Sequence, residues 1–150
     1  MTDYRIPRYQ VKLARDGSVT TDAKQIRSPL DAIDVARSMF DGADREHLIV
    51  IMLDTKNKII GVNTVTIGTL NSTVVSMREV FKPAILSNAA GIIVAHNHPS
   101  GDPTPSSEDI RITEDMVKAG DILDIAVLDH LVVCDASFIS MRTQRLGFRI

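Results

Sequence analysis

The chain has one cysteine, Cys134, among its 150 residues, so no internal disulfide can form. That thiol sits in the apolar run Leu131-Val132-Val133-Cys134, where a buried, inert side chain is expected. There is no excess of positive charge either: the formal net charge is −2. Sequence-independent binding to DNA or RNA runs on clustered lysine and arginine, and that footprint is missing. Arg142, Arg145 and Arg149 come nearest to a basic stretch. Three spaced arginines read as solvated surface, so a nucleic-acid partner is unsupported by charge. No apolar run approaches the roughly 20 residues of a membrane span. The first residues, Met1-Thr2-Asp3-Tyr4-Arg5-Ile6-Pro7-Arg8, lack the apolar centre of a secretory signal. A cytoplasmic protein without membrane contact is therefore expected. Internal repeats and low-complexity segments are missing as well.

Apolar residues make up 44% of the chain and charged residues 24%, as in an ordinary globular protein. The length suits one domain with one core. A domain of this size buries roughly 68–70% of its unfolded surface, so it needs neither a disulfide nor a metal to fold. Any metal would then serve function.

Residues 1–27 read as a strand and a loop. Tyr9 to Leu13 alternates apolar and polar residues as a strand does, and Asp16-Gly17 is a turn signal. Thr20 to Arg27 is polar and reads as a loop or an edge element. From Ser28 the pattern becomes that of a folded domain running to residue 150. Ser28-Pro29 is an N-cap with proline at the first helical position, and Ala32, Ile33, Val35, Ala36, Met39 and Phe40 supply one apolar helix face ending near Gly42. His47 to Leu53 is a dense apolar strand, paired as a hairpin with Ile59 to Ile67. Ser76 and Glu79 have the spacing of a capping box opening a second helix, which Pro83 would bend. Ala90 to Ala95 is a third strand, Ser106 to Ala119 a helix stopped by Gly120, and Ile125 to Cys134 and Phe138 to Arg142 are the last strands. Helices alternating with strands and a hairpin predict an α/β domain with one mixed sheet flanked by helices. Exposed edges of such a sheet make a homodimer an expectation.

The third strand runs into His96-Asn97-His98. Residues i and i+2 of a strand share one side, so both imidazoles can face one point. Two histidines and a carboxylate would give zinc three ligands and leave its fourth position open, the pattern of a catalytic site. Asp102, Glu108 and Asp109 are all near enough in sequence to complete the set. Asp109 is favoured because the first turn of a helix holds a ligand more rigidly than a loop tip does. The competing readings are ordinary: two surface histidines, a turn at Asn97-His98-Pro99-Ser100-Gly101, and a plain helix cap at Ser106-Ser107-Glu108-Asp109. His130 reads either as a hydrogen-bonded core histidine or as a group behind the metal ligands, and His47 as structural.

The string from His96-Asn97-His98-Pro99-Ser100-Gly101-Asp102 through Pro103-Thr104-Pro105-Ser106-Ser107-Glu108-Asp109 resembles the zinc motif of the JAB/MPN (JAMM) metalloprotease superfamily, in its RadC branch. Arg45-Glu46-His47, Gly68-Thr69-Leu70, Arg78-Glu79-Val80-Phe81-Lys82 and Asp129-His130-Leu131 are similar to that branch too. The resemblance spans residues 28–142. It implies a single JAB/MPN-like α/β domain, with a mixed, mainly antiparallel sheet flanked by helices, that binds Zn2+ through His96, His98 and Asp109. It implies a hydrolase of amide bonds, a metallopeptidase or isopeptidase, acting on a peptide or protein. It also implies an upstream glutamate as general base: Glu46, at the start of the first core strand, with Glu79 as the rival. Ser106 takes the part of the oxyanion donor, either beside its capping role or giving way to that role alone. RadC-type proteins often carry a helix-hairpin-helix DNA-binding module, which residues 1–27 do not resemble. The alternative activity is a RadC-type accessory role in DNA repair with a metal-binding, non-proteolytic domain.

Overall fold

Which strands lie inside the sheet follows from which can be buried on both faces. In the computed structural model, which describes residues 2–71 and 73–149, the elements are α1 (Pro29–Phe40), β1 (His47–Leu53), β2 (Ile59–Ile67), α2 (Met77–Leu86), β3 (Gly91–Asn97), α3 (Ser107–Leu123), β4 (Ala126–Val133) and β5 (Phe138–Ser140). Met1 and Ile150, the outer ends of the two segments expected from sequence, lie outside the described residues. The sheet order is β2-β1-β3-β4-β5. All neighbours are antiparallel except β3 and β4, which are parallel and joined through α3. The expected mixed, mainly antiparallel α/β domain is thus what forms. The unbroken apolar runs of β1 and β3 occupy interior positions, whereas β2, half exposed along its length, is an edge.

Strand alternation sorts the core into two layers. Ile49, Ile51, Leu53, Ile93, Ala95, Leu131 and Val133 face α1, against Ala32, Ile33, Val35 and Ala36. Leu48, Val50, Met52, Ile92, Val94 and Val132 face the opposite way, against Val80, Phe81 and Ala84 of α2 and Ile112 and Met116 of α3. One register break sets the direction of His130. Ile92 pairs with Val127 but Ile93 pairs with Asp129, so Leu128 is an extra residue in β4. This bulge reverses the parity of the strand beyond it. Val127 and His130 come to the same side of the sheet, although they are three positions apart.

Four expectations need correction. Tyr9 to Leu13 forms no strand: residues 2–20 contain no regular element, and Tyr9 is 82% exposed. Alternation cannot offset the cost of ordering a backbone when its apolar side chains find nothing to bury against. The nearest thing to an added edge is the single bridge between Gln25 and Lys58. Second, Ser76 and Glu79 form no capping box. The Glu79 N–H donates to the Ser76 carbonyl, the Ser76 hydroxyl is buried without a partner, and the Glu79 carboxylate pairs with Lys82 at 2.9 Å. Third, α3 does not stop at Gly120 but runs to Leu123, with Asp124 in the left-handed conformation as its cap. Gly120 is required for close approach, since a Cβ there would run into the Ile125 carbonyl oxygen. Fourth, the last strand ends at Ser140, two residues short of Arg142, because the Asp129 carboxylate takes the Ser140 hydroxyl and the Arg142 N–H and turns the chain.

Candidate metal centre

The end of β3 and the start of α3 meet on the sheet face that α3 covers. His96 is on the same side as Val94 and is completely buried. His98 is one step past the strand, held by its N–H to the Val133 carbonyl. His96 Nε2 and His98 Nε2 are 3.0 Å apart. Asp109 Oδ2 lies 3.3 Å from the first and 3.4 Å from the second. These are the spacings a small cation needs: ligands about 2.0–2.1 Å from a tetrahedral zinc stand about 3.3–3.4 Å from one another. His96, His98 and Asp109 are also the one such group of possible metal ligands found among the described residues. The donor set of two nitrogens and one oxygen suits zinc and leaves a coordination position unfilled.

Each ligand is oriented by a second bond. His98 Nδ1 donates to the Asp102 carbonyl oxygen at 2.8 Å, which leaves Nε2 with its lone pair toward the other two ligands. Asp102 thus serves through its backbone, while its carboxylate accepts from Thr104 N–H and is not a ligand. Glu108, the other candidate, turns to Arg111 at 3.5 Å. Asp109 is the N3 residue of α3. Its Oδ2 accepts from the Ser106 N–H at 2.8 Å, and Ser106 Oγ accepts from the Asp109 N–H at 3.0 Å, a complete capping box. The same carboxylate oxygen that caps the helix therefore faces the imidazoles. His96 Nδ1 meets His130 Nε2 at 2.7 Å, His130 Nδ1 meets Thr113 Oγ1 at 2.6 Å, and Thr113 donates to the Asp109 carbonyl oxygen at 2.7 Å.

The electrostatics fit an anionic ligand between basic nitrogens. Burial alone pushes the Asp109 carboxyl up. The His96 and His98 rings beside it and the Ser106 N–H outweigh it, and hold the group far below the usual carboxylate range. The neighbouring Asp109 carboxylate raises the His98 imidazole, against a downward push from burial. His130, wholly buried, is pushed well below its ordinary value by burial.

Glu46 stands immediately before β1, on the side of Leu48, which pairs with His96 across the sheet. Its Oε1 is 3.9 Å from His98 Nε2, and its Oε2 accepts from the Leu70 N–H at 2.9 Å. The Gly68 N–H binds the Glu46 carbonyl oxygen at 2.7 Å, which uses the Gly68-Thr69-Leu70 turn to fix both ends of the residue. Of the two glutamates raised by sequence, Glu46 is thus beside the triad, while Glu79 is paired outward with Lys82. Two participants were not visible in the sequence. Asn97 points away from the histidines that flank it; its Oδ1 accepts from His47 N–H and its Nδ2 donates to the Arg45 carbonyl, clamping the backbone on both sides of Glu46. Thr113 is fully buried one helical turn beyond Asp109. Its only signal in the sequence is a hydroxyl on the apolar face of α3, beside Ile112 and Met116. Cys134 is buried as expected and donates to the His98 carbonyl oxygen.

A mixed sheet with a His-x-His and a helix-borne aspartate converging at one strand end defines an α/β domain with a candidate metal site. The family model described as the RadC-like JAB domain matches residues 26–146. This chain belongs to the RadC-like JAB family. It is 53% identical over 124 residues to a UPF0758 protein of Roseiflexus castenholzii, covering 83% of this chain and 53% of that one. It is 49% identical over 137 residues to a UPF0758 protein of Chloroflexus aurantiacus, covering 91% of this chain and 59% of the relative. A UPF0758 protein of Desulforamulus reducens is 47% identical over 121 residues, covering 81% and 53%. The chain spans little more than half the length of the curated relatives it matches, and their names state no activity. No helix among the described residues is long and apolar enough to cross a membrane.

Proposed function

We propose that this domain is a zinc-dependent hydrolase of amide bonds, a metallopeptidase or isopeptidase. The observation that carries the reading is the convergence of His96 Nε2, His98 Nε2 and Asp109 Oδ2 at tetrahedral spacing, with the Glu46 carboxylate 3.9 Å from His98. A bound zinc would polarise the substrate carbonyl and lower the pKa of a water toward about 7. Glu46, held by Leu70 N–H through Oε2, keeps Oε1 free to take a proton from the attacking water and hand it to the departing amine nitrogen. Ser106 Oγ accepts from Asp109 N–H, a bond that does not use its own proton, so the hydroxyl serves as donor to the oxygen that gains charge. Such a donor contributes about 2.7–4 kcal/mol in other hydrolases.

The test is a comparison of purified parent, Glu46→Gln, Glu79→Gln and His96→Ala proteins. Each is assayed for bound zinc and for cleavage of a library of quenched fluorescent peptides and isopeptides. The expected result is stoichiometric zinc in the first three and none in His96→Ala, with cleavage lost in Glu46→Gln and kept in Glu79→Gln. A parent protein without zinc, or cleavage that survives Glu46→Gln, overturns the reading. Undiminished zinc with no cleavage of any amide by the parent leaves the non-proteolytic, accessory role.

A further inference from the structure

We propose that Thr113 and His130 form a positioning relay, which fixes the proton of His96 on Nδ1 and so aims its Nε2 lone pair at the metal position. For its consequence the inference rests on the metal-site reading; its geometry stands apart from it. The relay follows from counting protons. The Asp109 carbonyl oxygen can only accept, so its 2.7 Å bond to Thr113 Oγ1 uses the single hydroxyl proton. The 2.6 Å contact between Thr113 Oγ1 and His130 must then be donated by the ring, from Nδ1. A neutral imidazole protonated on Nδ1 presents a lone pair at Nε2. The 2.7 Å contact between His130 Nε2 and His96 Nδ1 therefore takes its proton from His96. In the neutral ring that leaves the His96 lone pair on Nε2, 3.3 Å from Asp109 Oδ2 and 3.0 Å from His98 Nε2.

The groups of the relay are shut off from solvent. His96, Thr113 and His130 are each 0% exposed. Among the described residues the Thr113 hydroxyl also meets Met141 Sδ at 3.7 Å, a weak acceptor. Gly147, at φ +81°, lets the C-terminal turn close against the Thr113 side chain, where a Cβ would be 2.8 Å from the threonine Cβ. The bulge at Leu128 is what brings His130 to this side of the sheet, in place of Leu131. Because Asp109 and Thr113 sit one turn apart on α3, the helix that supplies the third ligand also anchors the relay behind the first. Histidine ligands usually donate their second N–H to a carboxylate, a carbonyl or water, and loss of that partner costs about 10–100-fold in metal affinity. Here the partner is an imidazole, whose own tautomer has to be set by something further back.

The experiment uses the metal-free and zinc-titrated forms of the parent, Thr113→Val, Thr113→Ser, His130→Gln and His130→Leu. Long-range nitrogen–proton spectra of histidine-labelled, metal-free protein read the tautomers directly. Nδ1–H on both His96 and His130 is expected in the parent and in Thr113→Ser. Thr113→Val keeps the shape but removes the acceptor, so a mixture of tautomers is expected, with zinc bound about 10–100-fold more weakly. His130→Gln still offers an oxygen to His96 Nδ1–H and should keep more zinc affinity than His130→Leu. The relay is overturned by Nε2–H on His96 in the parent, by unchanged zinc affinity in Thr113→Val, or by equal losses in the two His130 variants. A parent that binds no zinc sinks the metal-site reading alone, because the spectra of the metal-free protein still decide the relay.

Discussion

Toward α1, β3 presents Ile93 and Ala95; toward α3, one residue out of step, it presents Ile92, Val94 and His96. Both sides begin as hydrocarbon packed against a helix. The α1 side stays that way along Ile49, Ile51 and Leu53 of β1 and as far as Ala95 of β3. The α3 side changes character at the C-terminal end of β3, where His96, Thr113 and His130 are buried as deeply as the leucines around them. The difference lies in how polar groups are burdened by burial. Hydrocarbon needs only contact, whereas each buried nitrogen or oxygen needs a partner at hydrogen-bond distance. The α3 side supplies them in a closed series from Ser106 through Asp109 and Thr113 to His130 and His96. Stability is concentrated on one side of the sheet and chemistry on the other, and the two can be separated by substitution.

The largest effect should come from the dry side. Ile51→Ala removes a fully buried side chain from the layer under α1 and is expected to cost about 2–5 kcal/mol in denaturant unfolding. Zinc affinity of the molecules that remain folded should be unchanged; a large loss of affinity would show that the two sides are not separable. Next in size is the contribution of the metal itself. Zinc at about 100 times its Kd should stabilise the parent by about 2.7 kcal/mol, and Asp109→Asn should abolish most of that shift in thermal unfolding. An equal zinc shift in the variant would break the comparison from the other direction. Asn97 lies on the α1 side of β3 but serves the metal side, so it tests the boundary. Asn97→Ala strands the Arg45 carbonyl and the His47 N–H, costing about 1–3 kcal/mol. It should reduce hydrolysis through Glu46 while stoichiometric zinc is retained.

Two smaller effects sharpen the contrast between polar groups that are satisfied and those that are not. Ser106→Ala should lose about 1 kcal/mol, the usual worth of a true cap. Ser76→Ala should lose nothing and gain slightly, because its hydroxyl is buried without a partner. Equal losses at the two serines in equilibrium unfolding would contradict the structure. The smallest effect concerns Asp129. Burial, the largest influence, raises its carboxyl above the ordinary 3.8, and hydrogen bonds from Ser140, Arg142 and His130 pull it partly back. A folded-state pKa above the unfolded one means that its contribution is full below 3.8 and is lost as pH rises through the raised value. Asp129→Asn should therefore gain on the parent as pH climbs through that window, read as the difference between two stability-against-pH curves. A flat difference would show that the hydrogen bonds cancel burial.

Much of this was legible in the chain order. Ser28-Pro29 opened a helix, and His47 to Leu53 and Ile59 to Ile67 formed strands with those bounds, because capping and apolar runs are local signals that tertiary contacts here reinforce. The same local logic failed at Ser76 and Glu79. Their spacing matches that of Ser106 and Asp109, yet a backbone bond took the place of the side-chain cap at α2. It failed again at Gly120, which looked like a helix stop and is a point of close approach to Ile125. His96, His98 and Asp109 could be named from their order because strand alternation and a helix start are periodic features, and the resemblance to the RadC branch pointed at the same three.

What the sequence determined by itself is the set of ligand types and the elements that carry them, since spacing along one strand and one helix turn fixes which side chains can point together. Only the tertiary structure decided which groups stand behind the ligands. Asn97 reaches across to β1, and Thr113 meets His130 through a bulge that reverses β4; both contacts depend on strand pairing and on one extra residue, Leu128, that no local pattern marks. Hydrogen bonds between side chains far apart in sequence are set by register. Register is a property of the folded sheet, and a one-residue shift would turn His130 away from His96.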